Sequence, residues 1–537
     1  MKTMLVAINS KFIHPNLAIR YLQANCDFDV LINEYTIKDS IEYIYKDTMI
    51  QSPKLIGFSV YIWNIEIIKE LIMLFKKRNP EILILLGGPE VSYESDYLFK
   101  DYSIDYIIYN EGEIAFNKLL HALIEKTNIE NVENLKYMQD GKIKQNHSLD
   151  ITDLDSLKNP YFTVSEDYSH KIAYLELSRG CPYKCAYCLA SLEKNVRFFN
   201  IARVKSDIVK LYDNGARTFK FLDRTFNIRE DLAIELLEYI YQNDFDGAVF
   251  QFEINADILS DNFIDYLNNN CPSNKIRFEI GIQSTNDIVN SAVNRRQNTD
   301  RLLNNIRELS KGNVIMHLDL IAGLPYEDLN SFIKTFNTVF KLYGDELQLG
   351  FLKLLKGTQL YYEAEKYGYS INRKAPYELN SNQFISSEDL ETIHIVEEML
   401  NIYWNKGFIK HSIRLLTENH NSPFHFFLEL GRLYLKEGLS YHRYQLHDIF
   451  AFLEKYTSEE KYVNEIRYEY LRYHSIKPKI YWENKVNRND ILRDFHSQNK
   501  DYKIDSLYKY AVVIRYNDGY IIAVYTPDNT QFIKFNQ

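Results

Sequence analysis

No run of eighteen apolar residues occurs in the 537-residue chain, so a membrane-crossing helix is not expected. The opening stretch Met1-Lys-Thr-Met-Leu-Val-Ala-Ile-Asn9 lacks the pattern of a signal peptide with its cleavage site and reads as a first strand, which points to a cytoplasmic protein. Cysteine is scarce. Five occur, an odd number with three clustered, which suits a reducing compartment and metal binding better than a disulfide framework. Cys26 and Cys271 stand alone and read as packed thiols. An excess of basic charge is also missing: the net charge of −10 argues against nonspecific nucleic-acid binding, though not against a local basic groove. What is present is ordinary for a globular protein, with 46% apolar and 25% charged residues. The length suits about three domains at roughly 150 residues each.

The clustered cysteines lie in Leu175-Glu-Leu-Ser-Arg-Gly-Cys-Pro-Tyr-Lys-Cys-Ala-Tyr-Cys-Leu-Ala-Ser191, where an apolar strand-like run breaks at Arg179-Gly180 into a loop. Cys181, Cys185 and Cys188 are spaced CxxxCxxC, and such gaps let a loop turn three thiolates toward one point. Soft thiolates are the ligands of iron–sulfur clusters. The competing reading, structural zinc, normally takes four protein ligands, and no CxxC or HxxxH partner follows nearby. Three ligands would leave one iron of a cubane open to a reacting ligand.

Residues 1–126 alternate strand and helix patterns, as in an α/β unit with a parallel sheet: strands near Met4–Ile8, Val30–Glu34, Leu55–Tyr61, Ile82–Leu86 and Asp105–Tyr109, with helices between. Ligands of such sheets bind outside the carboxyl ends of the strands, where Ser59, Gly87, Gly88 and Glu111 fall. Residues 127–168 are polar and read as a linker with one small hairpin near Asp140-Gly141. Between 169 and 376 the alternation returns with six strands, the period of a (β/α) barrel. Asp223, Glu253, Asn255, Gln283 and Ser284 fall at the carboxyl ends of those strands, where barrel chemistry concentrates. Residues 377–537 read as a helical region ending in a hairpin around Asn517-Asp-Gly519, an α+β appendage. Its histidines, among them His411, His420, His425 and His442, are not at ligand spacing.

The cysteine spacing, with Tyr187 just before the third cysteine, resembles the radical S-adenosylmethionine (SAM) superfamily. The resemblance implies a [4Fe–4S] cluster on Cys181, Cys185 and Cys188, SAM chelated at the open iron, and reductive cleavage of SAM to a 5′-deoxyadenosyl radical. It implies a partial (β/α)6 barrel, SAM contacts from Glu253 and Gln283 with Asn255 alongside, Ser284 and Arg295 near the SAM carboxylate, and a backbone contact from Tyr187 to adenine. Ala322-Gly-Leu-Pro325 looks like the superfamily's GxP turn beside adenine. One departure is clear: the family's Gly-Gly-Glu after the second strand is replaced by Phe221-Leu-Asp-Arg-Thr-Phe226, which leaves Asp223 to do part of that work and puts the amino-group contact in doubt.

The combination GFSVYxWN, LLGGPEVS and YNEGE resembles the Rossmann-like cobalamin-binding domain that precedes the core in one class of radical SAM proteins. It implies cobalamin near Ser59, Gly87, Gly88 and Glu111. Where some such domains carry DxHxxG, this chain reads Phe12-Ile-His14-Pro-Asn-Leu17. Phe12 cannot orient the His14 ring as a carboxylate would, so loop capping or a contact to corrin or substrate is expected of His14 rather than cobalt ligation. Together these features lead to an anaerobic, cobalamin-dependent radical SAM enzyme, with methyl transfer to an unactivated carbon as the leading reaction. A rearrangement, cyclisation or oxidation is the second reading, and a non-catalytic cobalamin- or cluster-binding or electron-transfer protein the third. A flavodoxin or ferredoxin reductant is expected, while the substrate (peptide, lipid, RNA or small metabolite) is left open.

Overall fold

The structure is a computed structural model, and it describes residues 1–163, 166–193, 195–457, 459–483, 486–527 and 529–536. The chain divides into two compact units, residues 1–331 with 350–387, and residues 332–349 with 388–537.

The first unit opens with a sheet built from β1 (Thr3–Asn9), β2 (Val30–Thr36), β3 (Leu55–Ser59), β4 (Leu83–Gly87) and β5 (Tyr106–Ile108), and extended by β6 (Leu135–Gln139) and β7 (Lys142–Gln145). The strand order is β2-β1-β3-β4-β5-β6-β7, parallel from β2 to β5 and antiparallel beyond. β1 is buried at all seven positions and β3 at all five, because helices cover both faces of a parallel sheet. The helix Ile65–Arg78 buries Ile68, Leu71, Ile72 and Phe75 on one face, and Glu113–Glu125 buries Phe116, Leu119 and Leu120 on the other.

The segment expected as linker is partly sheet. Tyr106 registers with Tyr137 and Ile108 with Leu135, and burial of Leu135 and Tyr137 in the core fixes the hairpin to the sheet's edge. Residues 164–165 of that segment lie outside the described residues. A helix the sequence reading passed over, Ile41–Ile50, is capped at Ser40, whose side chain accepts from the Tyr43 N–H.

The barrel sheet follows: β8 (Ile172–Leu175), then a short ribbon β9 (Ser178–Arg179) with β10 (Arg197–Phe198), then β11 (Thr218–Phe221), β12 (Val249–Ile254), β13 (Ile276–Gln283), β14 (Ile315–Ala322) and β15 (Glu346–Phe351). Its order, β15-β14-β13-β12-β11-β8, is sequential, as expected for a partial (β/α)6 barrel. In β12, β13 and β14 buried and half-buried residues alternate strictly: the phenylalanines and aliphatics pack outward against helices, and the polar residues point inward. Phe219, Phe221, Phe226, Phe250 and Phe252 stack within this outer layer. The unit closes with β16 (Ser370–Ile371) and β17 (Leu379–Ser381).

The second unit does not begin at 377 as the sequence suggested. Residues 332–349, which include the first four residues of the barrel strand β15, cluster with it: Phe336 and Phe340 pack edge-on to Phe427 and Phe340 also meets Trp404. Helices dominate it up to Tyr510, followed by β18 (Ala511–Tyr516), β19 (Gly519–Tyr525) and β20 (Thr530–Phe535). The expected hairpin is β18–β19, with Asn517 at a φ of 50 in its turn; the third strand was not foreseen. No helix among the described residues is long and apolar enough to cross a membrane.

Candidate functional site

The cysteine loop begins where β8 ends. Gly180 takes a φ of 99, and a Cβ there would collide with the Asn195 carbonyl oxygen, so glycine is required for the strand to turn into the loop. Asp223, on the loop after β11, anchors the same stretch. Its carboxylate accepts from the Leu177 N–H at 2.9 Å and the Ser178 hydroxyl at 2.6 Å. Burial pushes the Asp223 carboxyl up to about 7, against those hydrogen bonds. The structure therefore makes Asp223 a positioning residue of the cysteine strand.

The loop is held from several sides. Ala186 donates to the Val293 carbonyl at 2.8 Å and its own carbonyl accepts from the Leu360 N–H at 2.8 Å, while Lys184 bonds the carbonyl oxygens of Ser191 and Glu193. Cys185 is buried, and Cys181 and Cys188 are half-buried. Burial pushes the Cys188 thiol up, Arg224 opposes that, and the neighbouring Cys185 and Cys181 add to it. No three His, Cys, Asp or Glu side chains among the described residues converge as the ligands of a single metal ion would. Three thiols on one glycine-started loop are a donor set that fits a polynuclear cluster of soft ligands.

Arg295 lies beside this loop. It donates to the Gly281 carbonyl, to Gln297 Oε1 at 2.9 Å and to the Tyr187 hydroxyl at 3.3 Å. Ser284 is fully buried and donates to Glu327 Oε1 at 2.6 Å. Both residues expected at a SAM carboxylate thus also hold contacts within the barrel. Burial pushes the Glu327 carboxyl up to about 8, against the Ser284 hydrogen bond. Gln283 ends β13 with a φ of 66, and its Oε1 is buried without a partner. Asn255 is buried, with its backbone paired to the Asn227 side chain at 2.8 and 3.0 Å and its own Oδ1 unpartnered. Glu253 makes no hydrogen bond to another described residue. Burial pushes its carboxyl up, Arg224 opposes, and Glu279 reinforces.

Below this rim the lumen is lined by residues that only the strand register brings together. Lys220 donates to Glu279 at 2.9 Å and Gln251 donates to the same oxygen at 2.7 Å. Arg277 and His317 lie 3.1 Å apart, and His317 lies 3.2 Å from Asp319. The sequence signal was available, since these are the alternate positions of β11 to β14, but the strand-end reading looked only at the last residues of each strand.

The carboxyl edge of the N-terminal sheet presents a different chemistry. Phe12, Ile13 and Trp63 are exposed there, and Tyr61 stacks on Trp63 at 4.3 Å between ring centres. Such a flat aromatic surface fits a large planar macrocycle such as a corrin. Gly87 leaves room over the edge, whereas Gly88, with a φ of 118, is required by close packing on Val60. Ser59 is buried and accepts from Asn16 at 3.0 Å, supporting the edge from beneath. Glu111 is not free for a ligand. It pairs with Arg179 at 3.2 Å and Arg197 at 2.8 Å, and accepts from the Ile151 N–H at 2.8 Å. Burial opposes its charge, but Arg197, the Ile151 N–H and Arg179 outweigh it and hold the carboxyl below its usual range. Arg179, two residues before Cys181, also pairs with Glu113 at 2.7 Å and Glu176 at 3.0 Å. Glu111 therefore joins the N-terminal sheet to the cysteine loop. His14 finds an unexpected partner in this region: its Nδ1 is 2.6 Å from the Tyr174 hydroxyl on β8.

Comparison with known proteins agrees with this geometry. Residues 175–339 match the radical SAM superfamily, residues 4–120 the B12 binding domain, and residues 365–517 a family described as a protein of unknown function (DUF4080). Fold and cysteine loop together define a radical SAM protein. More particularly, the chain is a B12-binding-domain radical SAM protein with an additional DUF4080 region. An uncharacterized methyltransferase (PH0819) of Pyrococcus horikoshii is 27% identical over 32% of this chain and 39% of its own. The cobalamin-dependent radical SAM methyltransferase TokK of Streptomyces tokunonensis is 25% identical over 53% of this chain and 44% of its own. The chain thus spans less than half the length of these two relatives. Among solved structures, TsrM from Kitasatospora setae, with cobalamin and a [4Fe-4S] cluster bound, superposes with a TM-score of 0.57 over 70% of this chain and 78% of that one, at 15% identity. The cobalamin-dependent radical enzyme OxsB with aqua-cobalamin bound gives 0.61 over 93% of this chain and 81% of that one, at 14% identity. These structures share the fold.

Proposed function

We propose that this chain is a cobalamin-dependent radical SAM methyltransferase acting on an unactivated carbon of a polar substrate. The observation that carries the reading is the joining of the two sheets within one compact unit: Glu111 and Glu113 at the carboxyl edge of the N-terminal sheet pair with Arg179, beside the first cysteine. When bound, the cluster with SAM would supply an organic radical, and cobalamin a transferable methyl group. Cys181, Cys185 and Cys188 would hold the cluster, and the exposed aromatics of the N-terminal edge would hold the corrin. The protein's own part is positional. Asp223 fixes the cysteine strand, Arg179 fixes the loop against the N-terminal sheet, and the barrel walls keep water from the space between.

The lumen supports the polar substrate. Lys220, Gln251, Arg277, Glu279, His317 and Asp319 line it, and an apolar ligand would strip water from these groups at about 1–3 kcal/mol for each one left unpaired. A hydrophilic substrate would replace that water with hydrogen bonds. The test is turnover of the anaerobically reconstituted full chain with a flavodoxin or dithionite, cobalamin and methyl-labelled SAM. Label in a product supports methyl transfer. Formation of 5′-deoxyadenosine with no label in any product would favour a rearrangement, cyclisation or oxidation, and the absence of both from a fully clustered sample offered polar candidate substrates would favour a non-catalytic binding protein.

A further inference from the structure

The polypeptide that leaves β15 runs between the two regions that the proposed reaction needs. Residues 356–360 touch the N-terminal sheet at one end and the cysteine loop at the other. At the first end Lys356 Nζ lies 2.7 Å from Glu90 Oε1, just past the turn Gly87-Gly88-Pro89 that closes β4, and the Tyr377 hydroxyl donates to the same oxygen at 2.7 Å. The pair is nearly enclosed: the two side chains are 11% and 5% exposed, and the ammonium stands over the rings of Tyr377 and Tyr97 at 5.0 and 5.4 Å. Next to it Gly357, with a φ of 85, packs on Tyr93, where a Cβ would come within 2.4 Å of ring carbon Cγ. At the other end the Leu360 N–H donates to the Ala186 carbonyl at 2.8 Å, between Cys185 and Cys188, and Gln359 accepts from the Asn294 side chain at 2.8 Å. Lys356 and Leu360 are four residues apart, a span of at most about 14 Å at full extension.

We propose that residues 356–360 are a strap that sets the spacing between the N-terminal edge and the cysteine loop, with Lys356 as its positioning residue. This rests on the cobalamin-dependent radical reading and adds to it the part that fixes the geometry. Arg179 holds the loop before Cys181 and the strap holds it after Cys185, so two anchors set direction as well as distance. An enclosed ion pair suits such an anchor, because parting its members leaves a charge stranded away from water. Tyr377 is the contribution of the DUF4080 region, whose first residues thereby take a place in the unit that holds both sites.

The test uses full-length protein reconstituted anaerobically with iron, sulfide and cobalamin, and reads the magnetic interaction between the reduced cluster and cob(II)alamin, which falls steeply with their separation. In the wild type the two signals should broaden each other. Lys356→Met is expected to keep its iron and to bind cobalamin within about twofold of the wild type, but to show a weaker and more dispersed interaction. Lys356→Arg should recover part of it, and Gly357→Ala, which pushes the strap off Tyr93, should act like Lys356→Met. An interaction in Lys356→Met identical to that of the wild type overturns the assignment. So does its absence from a wild type that holds both groups, and so does loss of iron or cobalamin from Lys356→Met and Gly357→Ala alike, which would make the strap a requirement of folding or binding instead of spacing. A wild type that fails to take up either group sinks the cobalamin-dependent radical reading itself.

Discussion

Two parallel sheets in this chain bury their side chains in opposite ways. Strands β1 and β3 are buried on both faces, so the N-terminal sheet can offer chemistry only at its carboxyl edge. Strands β12 to β14 bury one face and turn the other into a lumen, so the barrel can offer chemistry along the whole length of each strand. The N-terminal edge is aromatic and open; the lumen is ionic and amide-lined. Curving a sheet into a partial barrel is what turns half of its side chains from packing against helices toward a lumen.

The largest expected effect breaks the two regions apart. Cys185→Ala should abolish cluster assembly, read as iron content and visible absorbance, while cobalamin titration of the same protein is unchanged because the N-terminal sheet keeps its core. Loss of cobalamin binding together with the cluster would show that the edge is not an independent site. Next comes packing. Leu86→Ala, in the fully buried centre of the N-terminal sheet, should cost about 2–5 kcal/mol in chemical denaturation. Gln251→Ala, on the lumen wall, should cost about 1 kcal/mol, the net value of its bond to Glu279. Equal losses would erase the distinction between a packed face and a lumen face.

A smaller effect is read against pH. Glu327 has a folded-state value of about 8 against an ordinary 4.5, so between those limits the folded protein keeps a proton that the unfolded chain has released. Stability should therefore decline as pH rises from about 4.5 to about 8 by at most one proton's worth of slope, and level off above. Glu327→Gln should remove that part of the slope; an unaltered profile would mean that Ser284 faces an ionised carboxylate. The smallest effect is that of Tyr187→Phe, which deletes one long bond to Arg295 and should change stability and SAM affinity by less than about 1 kcal/mol.

Local patterns made much of this legible. Apolar runs between turns placed every strand of the parallel part of the N-terminal sheet and all six barrel strands, and three cysteines marked the loop that follows β8, because each of these is encoded within a few neighbouring residues. Glu111 shows the limit. It was read as a ligand contact from its place at a strand end, but its carboxylate is bonded to Arg179 and Arg197, partners distant in sequence. Ser284 and Arg295 show the same limit. Their side chains were assigned by type and position, and their hydrogen bonds to Glu327, Gly281 and Gln297 could not be read from the chain.

The sequence by itself determined the class of chemistry, through three thiols spaced on one loop and an α/β unit ahead of a barrel. Tertiary structure decided which polar groups remain available. The hairpin 135–145 joined the N-terminal sheet, residues 332–349 joined the C-terminal unit, and Glu111 paired with Arg179 and Arg197. The physical reason is that spacing along a chain fixes what a short loop can hold, whereas the pairing of a charge depends on neighbours brought in from strands tens of residues away.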